Sequence, residues 1–149
     1  MTKSIKRISK SLKDTNNIAK EIIKKLDTDN NKAKIIGLYG NLGAGKTAFA
    51  QELARELGIK EKVVSPTFVI MKRFVIPKSK FKNMIHIDAY RLEKGAELEK
   101  LGWADIISDP ENLVLIEWPE QVHEVMPKEH PKIHITHLDE SSREFELLG

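Results

Sequence analysis

Residues 40–47 read GNLGAGKT and fit the pattern G-x-x-x-x-G-K-[ST] at every fixed position. This pattern is typical of a phosphate-binding loop when a strand precedes it and a helix follows it. Residues 35–39 form a short apolar run that predicts a buried strand, and residues 48–57 carry apolar side chains at helical spacing. Gly58 then predicts the end of that helix. The required context is present, and the alternative is a glycine-rich turn with an incidental Lys-Thr pair.

The residue types of this loop suit the binding of phosphate groups. Gly43 and Gly45 can adopt backbone angles closed to other residues, and they carry no side chain that would block a phosphate. Backbone N–H groups would then point inward at a helix N-terminus, where the helix dipole adds partial positive charge. Lys46 is expected to reach the β- and γ-phosphates, and the Thr47 hydroxyl to bind Mg²⁺. The predicted N–H donors belong to Leu42, Gly43, Ala44, Gly45, Lys46 and Thr47.

The composition sets limits on the remaining possibilities. A chain of 149 residues predicts one domain, spanning residues 1–149, with a sizeable core. The absence of cysteine excludes disulfides, thiolate metal sites and thiol catalysis, and it suits the cytoplasm. Neither a membrane-spanning run nor a secretion signal is expected. The net charge of +3 is compatible with a polyanionic partner but fits a solvated, lysine-rich surface better.

The apolar pattern predicts an alternation of strands and helices around the loop. An edge strand within residues 1–13 should precede a helix that begins at Asp14 or Thr15 and ends near residue 27. Strands at residues 68–76 and 81–87 predict an antiparallel hairpin. Short helices are expected at residues 95–101, with Ala96, Leu98 and Leu101 facing inward, and at residues 103–107. A strand at residues 113–119 should be buried on both faces, and residues 132–148 predict a C-terminal hairpin.

A phosphate loop needs an acidic partner for Mg²⁺, normally at the C-terminal end of a neighbouring apolar strand. Glu117 follows four consecutive aliphatic residues and is the expected metal ligand, against the alternative of a surface salt bridge. Asp88 also ends an apolar strand, where it could orient or deprotonate an attacking water, or else be a helix N-cap or pair with Arg91. Thr67 could sense the γ-phosphate through Mg²⁺, or simply pack at the start of a strand.

Other polar and aromatic residues predict less chemistry. The histidines show no metal-ligand spacing and are predicted to be surface or core residues. They are His86, His123, His130, His134 and His137. The two tryptophans, Trp103 and Trp118, are predicted to be packing residues, and the position of Trp118 beside Glu117 lets it line the site.

The order of these motifs resembles the bacterial TsaE family, the P-loop ATPases of tRNA threonylcarbamoyladenosine biosynthesis. The matching pieces cover about residues 10–120 and run in family order. They are Thr15, GNLGAGKT at 40–47, SPTF at 65–68, HIDAYRL at 86–92, ELEKLG at 97–102 and EWPE at 117–120. Many NTPases share the phosphate loop, whereas the three segments SPT, DxYRL and EWPE in this order are far more specific.

The resemblance implies a single-domain α/β fold of the P-loop NTPase type, with a mixed central sheet, flanking helices and a β-hairpin. It implies that ATP binds to residues 42–47, that Thr47 and Glu117 hold Mg²⁺, and that Asp88, Thr67 and Lys46 serve hydrolysis. Residues 12–15 would lie near the adenine. It also implies two partner proteins, TsaB and TsaD, with tRNA contacted indirectly or weakly. TsaD forms the modification at position 37 of tRNAs that read codons beginning with A, and ATP hydrolysis supports turnover of the complex.

Three functions are compatible with this pattern. In the leading one, an ATPase subunit, Lys46 neutralises developing charge and Asp88 positions the attacking water. Hydrolysis by the chain alone is expected to be slow, because few arginines could complete the site and Arg91 is the best placed in sequence. A small-molecule kinase would need an acceptor pocket and usually an Arg-bearing lid, and beyond Arg91 the chain offers only Arg143. The third possibility is a nucleotide-dependent binding module in which hydrolysis is incidental.

Overall fold

Seven strands form one mixed sheet, and the phosphate loop leaves the sheet from its central strand. The structure is a computed structural model that describes residues 4–26, 31–41, 43–64, 66, 69–77 and 79–149. Its strands are β1 (Ser4–Ser9), β2 (Lys34–Tyr39), β3 (Met71–Val75), β4 (Asn83–Asp88), β5 (Asn112–Glu117), β6 (Lys132–His137) and β7 (Arg143–Leu148). Its helices are α1 (Leu12–Lys25), α2 (Lys46–Glu56), α3 (Gly95–Glu99) and α4 (Trp103–Ile107), with a 3₁₀ segment at Pro119–Val125.

The strand order is β1-β7-β6-β2-β5-β4-β3. The four strands at the centre run parallel, since β2 is parallel to β5 and β6, and β4 is parallel to β5. β3 is antiparallel to β4, and β7 is antiparallel to both β6 and β1. The predicted mixed sheet, its two hairpins and its N-terminal edge strand are therefore confirmed. β3 begins at Met71 rather than at residue 68, which lies outside the described residues.

Helices cover both faces of the sheet and create two hydrophobic cores. Leu113 and Leu115 of β5 join α1 and α2 in one core, whereas Val114 and Ile116 join α3 and α4 in the other. All four side chains are completely buried. Because successive side chains of a strand point to opposite faces, β5 is buried on both sides, as its unbroken apolar run predicts.

The start of α1 differs from the prediction of a cap at Asp14 or Thr15. Ser11 caps the helix, and its Oγ accepts a hydrogen bond of 3.1 Å from the Asp14 N–H. Asp14 lies in the first turn, where its Oδ2 accepts from the Lys10 N–H at 2.9 Å. The Thr15 hydroxyl is buried, 2.7 Å from the Ser9 hydroxyl. The prediction was one turn too late, because several residues here are able to cap a helix and only the backbone conformation selects Ser11.

The remaining helices agree with their predicted ends more closely than with their predicted faces. α2 ends at a Leu57 cap, and Gly58 follows with φ of 81°, so the predicted helix end is confirmed. α3 is shorter than predicted, and of the three residues predicted to face inward Leu98 is buried, whereas Ala96 and Leu101 are exposed. Its inward face was therefore predicted wrongly, because a helix of so few residues has no full apolar stripe. Within the described ranges no helix is both long and apolar enough to cross a membrane.

Candidate functional site

The strand register brings the predicted acidic residues to the edge of the sheet where the phosphate loop begins. Leu38 near the end of β2 pairs with Glu117 at the end of β5, and Glu117 pairs with Asp88 at the end of β4. These three strands are parallel, so their carboxyl ends meet at one edge, which is where α/β sheets bind ligands. The predicted positions of Glu117 and Asp88 beside the loop are consistent with this arrangement.

The loop itself depends on two close backbone approaches. A Cβ at Gly40 would lie 2.7 Å from the backbone oxygen of Ile135 on β6, so only glycine fits there. Gly45 caps α2 in the left-handed region with φ of 110°, and Lys46 and Thr47 then open the helix. The first N–H groups of a helix have no partner within it, so they are available to an anion. Of the predicted donors, Leu42 lies outside the described residues.

Lys46 is buried beside the loop, and its positive charge has partners there. Its side chain is 5% exposed, and its Nζ donates a 2.6 Å hydrogen bond to the Gly40 carbonyl. The same nitrogen lies 3.5 Å from the centre of the Trp118 ring, so Trp118 does line the site. Burial lowers the pKa of Lys46, and the carboxylates of Glu117, Glu120 and Asp88 oppose that shift. The Lys46 ammonium is therefore already positioned beside the loop, where phosphate oxygens could accept hydrogen bonds from it.

Glu117 is a buried carboxylate with a buried partner. It is 3% exposed, and its Oε2 lies 2.7 Å from Nε2 of His86, which is fully buried. The alternative of a surface salt bridge does not fit this environment. The Nδ1 atom of His86 has no hydrogen-bond partner in the part of the chain that the structure describes. His86 is thus a core histidine as predicted, but its contact with Glu117 was not predicted, because it depends on strand register.

Asp88 and the Ser-Pro-Thr turn occupy the neighbouring position. Asp88 is 4% exposed, and its Oδ1 accepts a 3.0 Å hydrogen bond from the Tyr90 N–H within a turn, whereas Lys94 is the N-cap of the next helix. The Asp88 N–H donates to the Ile70 carbonyl at 2.8 Å, and the Ile70 N–H donates to the Pro66 carbonyl. These bonds tie the segment after Pro66 to the end of β4. Thr67 itself lies outside the described residues.

Arg143 reaches the loop from the other side and was not predicted to do so. It pairs with His137 at the β6–β7 turn, and a Cβ at Gly45 would lie 2.7 Å from its Nε and 2.8 Å from its Cδ. The Nε atom is buried and has no hydrogen-bond partner among the residues described. In the sequence Arg143 stands far from the loop, and no spacing rule connects the two.

The donor set fits a magnesium-bound nucleotide better than a metal held by protein alone. Among the described residues no group of three or more His, Asp or Glu side chains could hold a metal ion. Mg²⁺ is usually bound by one or two carboxylates or hydroxyls together with substrate phosphates and water. Thr47, at the start of α2, and the buried Glu117 could supply that protein share. The glycine backbone and the buried Lys46 could receive the phosphates.

The chain matches known proteins along almost its whole length. The family model described as "Threonylcarbamoyl adenosine biosynthesis protein TsaE" matches residues 9–145. A Rickettsia prowazekii protein named "tRNA threonylcarbamoyladenosine biosynthesis protein TsaE" is 32% identical over 134 residues, which cover 89% of this chain and 87% of that protein. The Haemophilus influenzae protein of the same name is 34% identical over 129 residues, covering 87% and 77%.

A solved structure has the same architecture. It is described as "Crystal structure of Bacillus subtilus YdiB", and it matches with a TM-score of 0.77 and 27% sequence identity, covering all of this chain and 87% of that chain. The Bacillus subtilis protein named "tRNA threonylcarbamoyladenosine biosynthesis protein TsaE" is 37% identical over 113 residues, covering 74% of this chain and 66% of that protein. The predicted α/β fold of the P-loop NTPase type is confirmed.

Proposed function

The chain belongs to the TsaE family of threonylcarbamoyladenosine biosynthesis proteins, and on that premise we propose that it is the ATP-binding and ATP-hydrolysing subunit of a tRNA-modification complex. One observation carries the proposal. The phosphate loop, the buried Lys46 and two buried carboxylates, Glu117 and Asp88, meet at one edge of the sheet. This combination of phosphate donors, a cation and acidic groups is what ATP hydrolysis requires.

In this function the chain's own residues position the phosphates. The backbone N–H groups of the loop, predicted to be those of residues 42–47, would bind phosphate oxygens at the start of α2. Lys46 exchanges its bond to the Gly40 carbonyl for phosphate oxygens, and the negative phosphates favour its charged form against the effect of burial. Thr47 and Glu117 would hold Mg²⁺, which would neutralise phosphate charge. His86 fixes one oxygen of Glu117 and leaves the other for the metal.

Asp88 orients the attacking water, and Thr67 senses the γ-phosphate. The position of Asp88 next to Glu117 at the end of β4 supports this assignment, since a carboxylate within hydrogen-bond reach of a water can orient it or take its proton. The Tyr90 N–H holds one oxygen of Asp88 and thereby fixes its rotamer. For Thr67 the support comes from the resemblance and from Pro66, whose carbonyl is tied to the strand that ends at Asp88.

In the proposed function the chain works in a complex, and its partner proteins accelerate its ATP hydrolysis. The whole chain, residues 1–149, acts in the cytoplasm as one ATPase domain together with TsaB and TsaD. The modification concerned is threonylcarbamoyladenosine at position 37 of tRNAs that read codons beginning with A. TsaD forms the modification, the tRNA is contacted indirectly or weakly, and ATP hydrolysis by this chain supports turnover. Hydrolysis by the chain alone is slow and is accelerated by the partners.

The first test is ATP hydrolysis by the purified chain, with and without the two partner proteins and tRNA. We expect low activity that rises with the partners and falls by at least about 100-fold in Lys46→Ala, the size of effect seen when one charge-stabilising donor is removed. Lys20→Ala is the matched control, because Lys20 is an exposed lysine on α1 whose ammonium lies 3.8 Å from Glu56. ATP hydrolysis that does not change when the partners are added would instead favour a small-molecule kinase whose acceptor must then be identified.

A second arm separates hydrolysis from binding. Glu117→Gln and Asp88→Asn should keep ATP binding, lose hydrolysis and stop tRNA modification by the assembled complex. If modification continues at the normal rate while hydrolysis is lost, the chain is a nucleotide-dependent binding module and the ATPase proposal is wrong.

A further inference from the structure

A surface cavity of about 360 Å³ lies at the end of α2 that is remote from the phosphate loop. The last turn of the helix and the segment that follows it, residues 59–63, form its walls. Three buried aliphatic side chains line it, those of Ala54, Ile59 and Val63. The cavity therefore offers apolar surface to a group that enters it.

Exposed cations surround this apolar lining. They are Arg55, which is 72% exposed, and Lys60 and Lys62. Arg55 lies 3.6 Å from the buried Glu52, whereas Lys60 and Lys62 have no ion-pair partner among the described residues. The acidic residue of the lining, Glu61, lies 3.9 Å from a lysine of β3. Two lysines at the cavity are thus available to carboxylates of another molecule.

The cavity also lies in the basic part of a chain whose charges are unevenly distributed. Residues 55–82 contain eight Lys or Arg and two Asp or Glu, whereas residues 83–129 contain four Lys or Arg and eleven Asp or Glu. An acidic partner is attracted to the first part and repelled by the second, and such complementarity orients an encounter between proteins.

The surroundings of the cavity suit a protein better than a nucleic acid. Val64, directly after the cavity wall, is 51% exposed, and Val69 is 67% exposed. Aliphatic contact area beside charged residues is typical of protein interfaces. Among the described residues no aromatic side chain lines the cavity, so a nucleobase would have no ring on which to stack.

The cavity wall is connected to the proposed catalytic edge of the sheet. The Gln51 side chain on α2 donates a 2.8 Å hydrogen bond to the Val63 carbonyl. Three residues further on, the Pro66 carbonyl accepts from the Ile70 N–H, and the Ile70 carbonyl accepts from the Asp88 N–H at 2.8 Å. Ile70 has φ of 70°, which is unfavourable for a β-branched residue, and such strain is concentrated in ligand clamps and switch segments.

We propose that this cavity is the docking surface for an acidic segment of a partner protein. Carboxylates of the segment bind Lys60 and Lys62, and an aliphatic side chain enters the cavity beside Val64. This inference rests on the proposed function and names the surface through which a partner accelerates hydrolysis. Docking holds the wall of the cavity and, through the hydrogen bonds of Pro66 and Ile70, the backbone of Asp88.

The experiment compares the wild-type chain with the double variant Lys60→Glu, Lys62→Glu. Binding to TsaB, to TsaD and to the two together is measured by biolayer interferometry, and ATP hydrolysis is titrated with the same proteins. We expect the partner concentration for half-maximal stimulation to rise on the order of tenfold or more, because two attractive charges become repulsive. ATP hydrolysis by the chain alone and the affinity for ADP should not change. Added salt should weaken partner binding less in the variant than in the wild type.

A second variant tests the apolar part of the surface. Val64→Ser should weaken partner binding while the salt dependence stays that of the wild type, because no charge is altered. The matched control is Lys100→Glu with Lys128→Glu, which makes the same change in net charge at two exposed positions of the acidic part and should leave partner affinity unchanged. Thermal unfolding of each variant ensures that only folded proteins are compared.

Three results would overturn the docking surface. The first is equal partner affinity and equal stimulation in the wild type and in Lys60→Glu, Lys62→Glu. The second is a loss of binding to single-stranded oligo-uridine with partner binding intact, which would make RNA the occupant. The third is a wild-type oligomer in sedimentation that the variant dissociates while partner binding persists, which would make a second copy of the chain the occupant.

The outcomes also separate this inference from the proposed function. Partners that bind the wild type without stimulating its hydrolysis would contradict the proposed function, while weaker binding by Lys60→Glu, Lys62→Glu would still support the docking surface. Normal stimulation of both proteins would support the proposed function and remove only the docking surface.

Discussion

Lys46 and Arg143 are cations on opposite flanks of one loop, but their surroundings differ. Lys46 has a carbonyl acceptor at 2.6 Å, an aromatic ring at 3.5 Å and three carboxylates close enough to affect its pKa. Arg143 has a buried Nε without an acceptor in the described chain, and it lies against the positive end of a helix. Lys46 therefore has partners for its charge, whereas the Arg143 Nε has no acceptor among the described residues.

This difference suggests two separate tasks for the flanks. The Lys46 flank contains the groups proposed for chemistry, Glu117 and Asp88, and its cation must move from the Gly40 carbonyl to the phosphates. Arg143 instead lies against Gly45, the residue that caps α2, so it is expected to affect the shape of the loop. Substitutions on the first flank should therefore affect hydrolysis most, and substitutions on the second should affect affinity most.

The largest effect is expected from Gly45→Ala, which disturbs the loop between the two flanks. A φ of 110° is strained for any residue with a Cβ, and the new Cβ would also meet Arg143. We expect a loss of about 1–3 kcal/mol in the free energy of unfolding, measured by urea denaturation, and at least tenfold weaker ADP binding. Gly43→Ala is the matched control for stability alone, because φ is 80° there but no atom lies within 4 Å of its Cβ, so it keeps the backbone strain without the clash.

A double-mutant cycle sharpens this test. If the contact with Arg143 is responsible, Gly45→Ala should cost less affinity in an Arg143→Ala background than in the wild type. Equal losses in the two backgrounds would show that backbone strain alone accounts for the effect, and the close approach of Arg143 to Gly45 would then have no energetic consequence.

A smaller effect is expected from substitution of His86, which contacts Glu117 on the Lys46 flank. His86→Leu removes the donor to Glu117 and leaves a buried carboxylate without that bond, whereas His86→Gln keeps a side-chain N–H in the cavity. We expect His86→Leu to be less stable than His86→Gln by about 1–3 kcal/mol, measured as the difference in the free energy of unfolding. His86→Leu should also need more Mg²⁺ for half-maximal hydrolysis.

The exposed His123 provides the control for this pair, since His123→Leu and His123→Gln should not differ in magnesium requirement. Equal stability and equal magnesium requirement in His86→Leu and His86→Gln would contradict a role of His86 in holding Glu117.

The smallest effect concerns the pH dependence of stability. Burial lowers the pKa of Lys46 below its ordinary value of 10.5, so the unfolded chain binds more protons than the folded chain between the two values. The contribution of Lys46 to stability therefore increases as pH rises from the folded pKa toward 10.5. Lys46→Met should reduce this increase relative to the wild type in urea denaturation at a series of alkaline pH values. Parallel pH profiles for the two proteins would contradict the burial of a charged Lys46.

Much of the molecule was predictable because its signals are local. The strand before Gly40, the helix after Lys46 and the apolar run before Glu117 are each recognised within about ten neighbouring residues. Parallel strands that end in Glu117 and Asp88 then meet at one edge by a general rule of α/β sheets. The start of α1 was missed although its signal is also local, because Ser11, Asp14 and Thr15 can all cap a helix and propensity does not choose among them.

Sequence alone determined the phosphate loop, the carboxylates that end its neighbouring strands, the two hairpins and the family resemblance. Only the tertiary structure decided which distant side chains lie beside these residues. His86 meets Glu117 because β4 and β5 pair in one register, and Arg143 meets Gly45 because β7 lies beyond β6 in the sheet. Such contacts join residues distant in the chain through strand order and register, and periodicity within one segment carries no information about either.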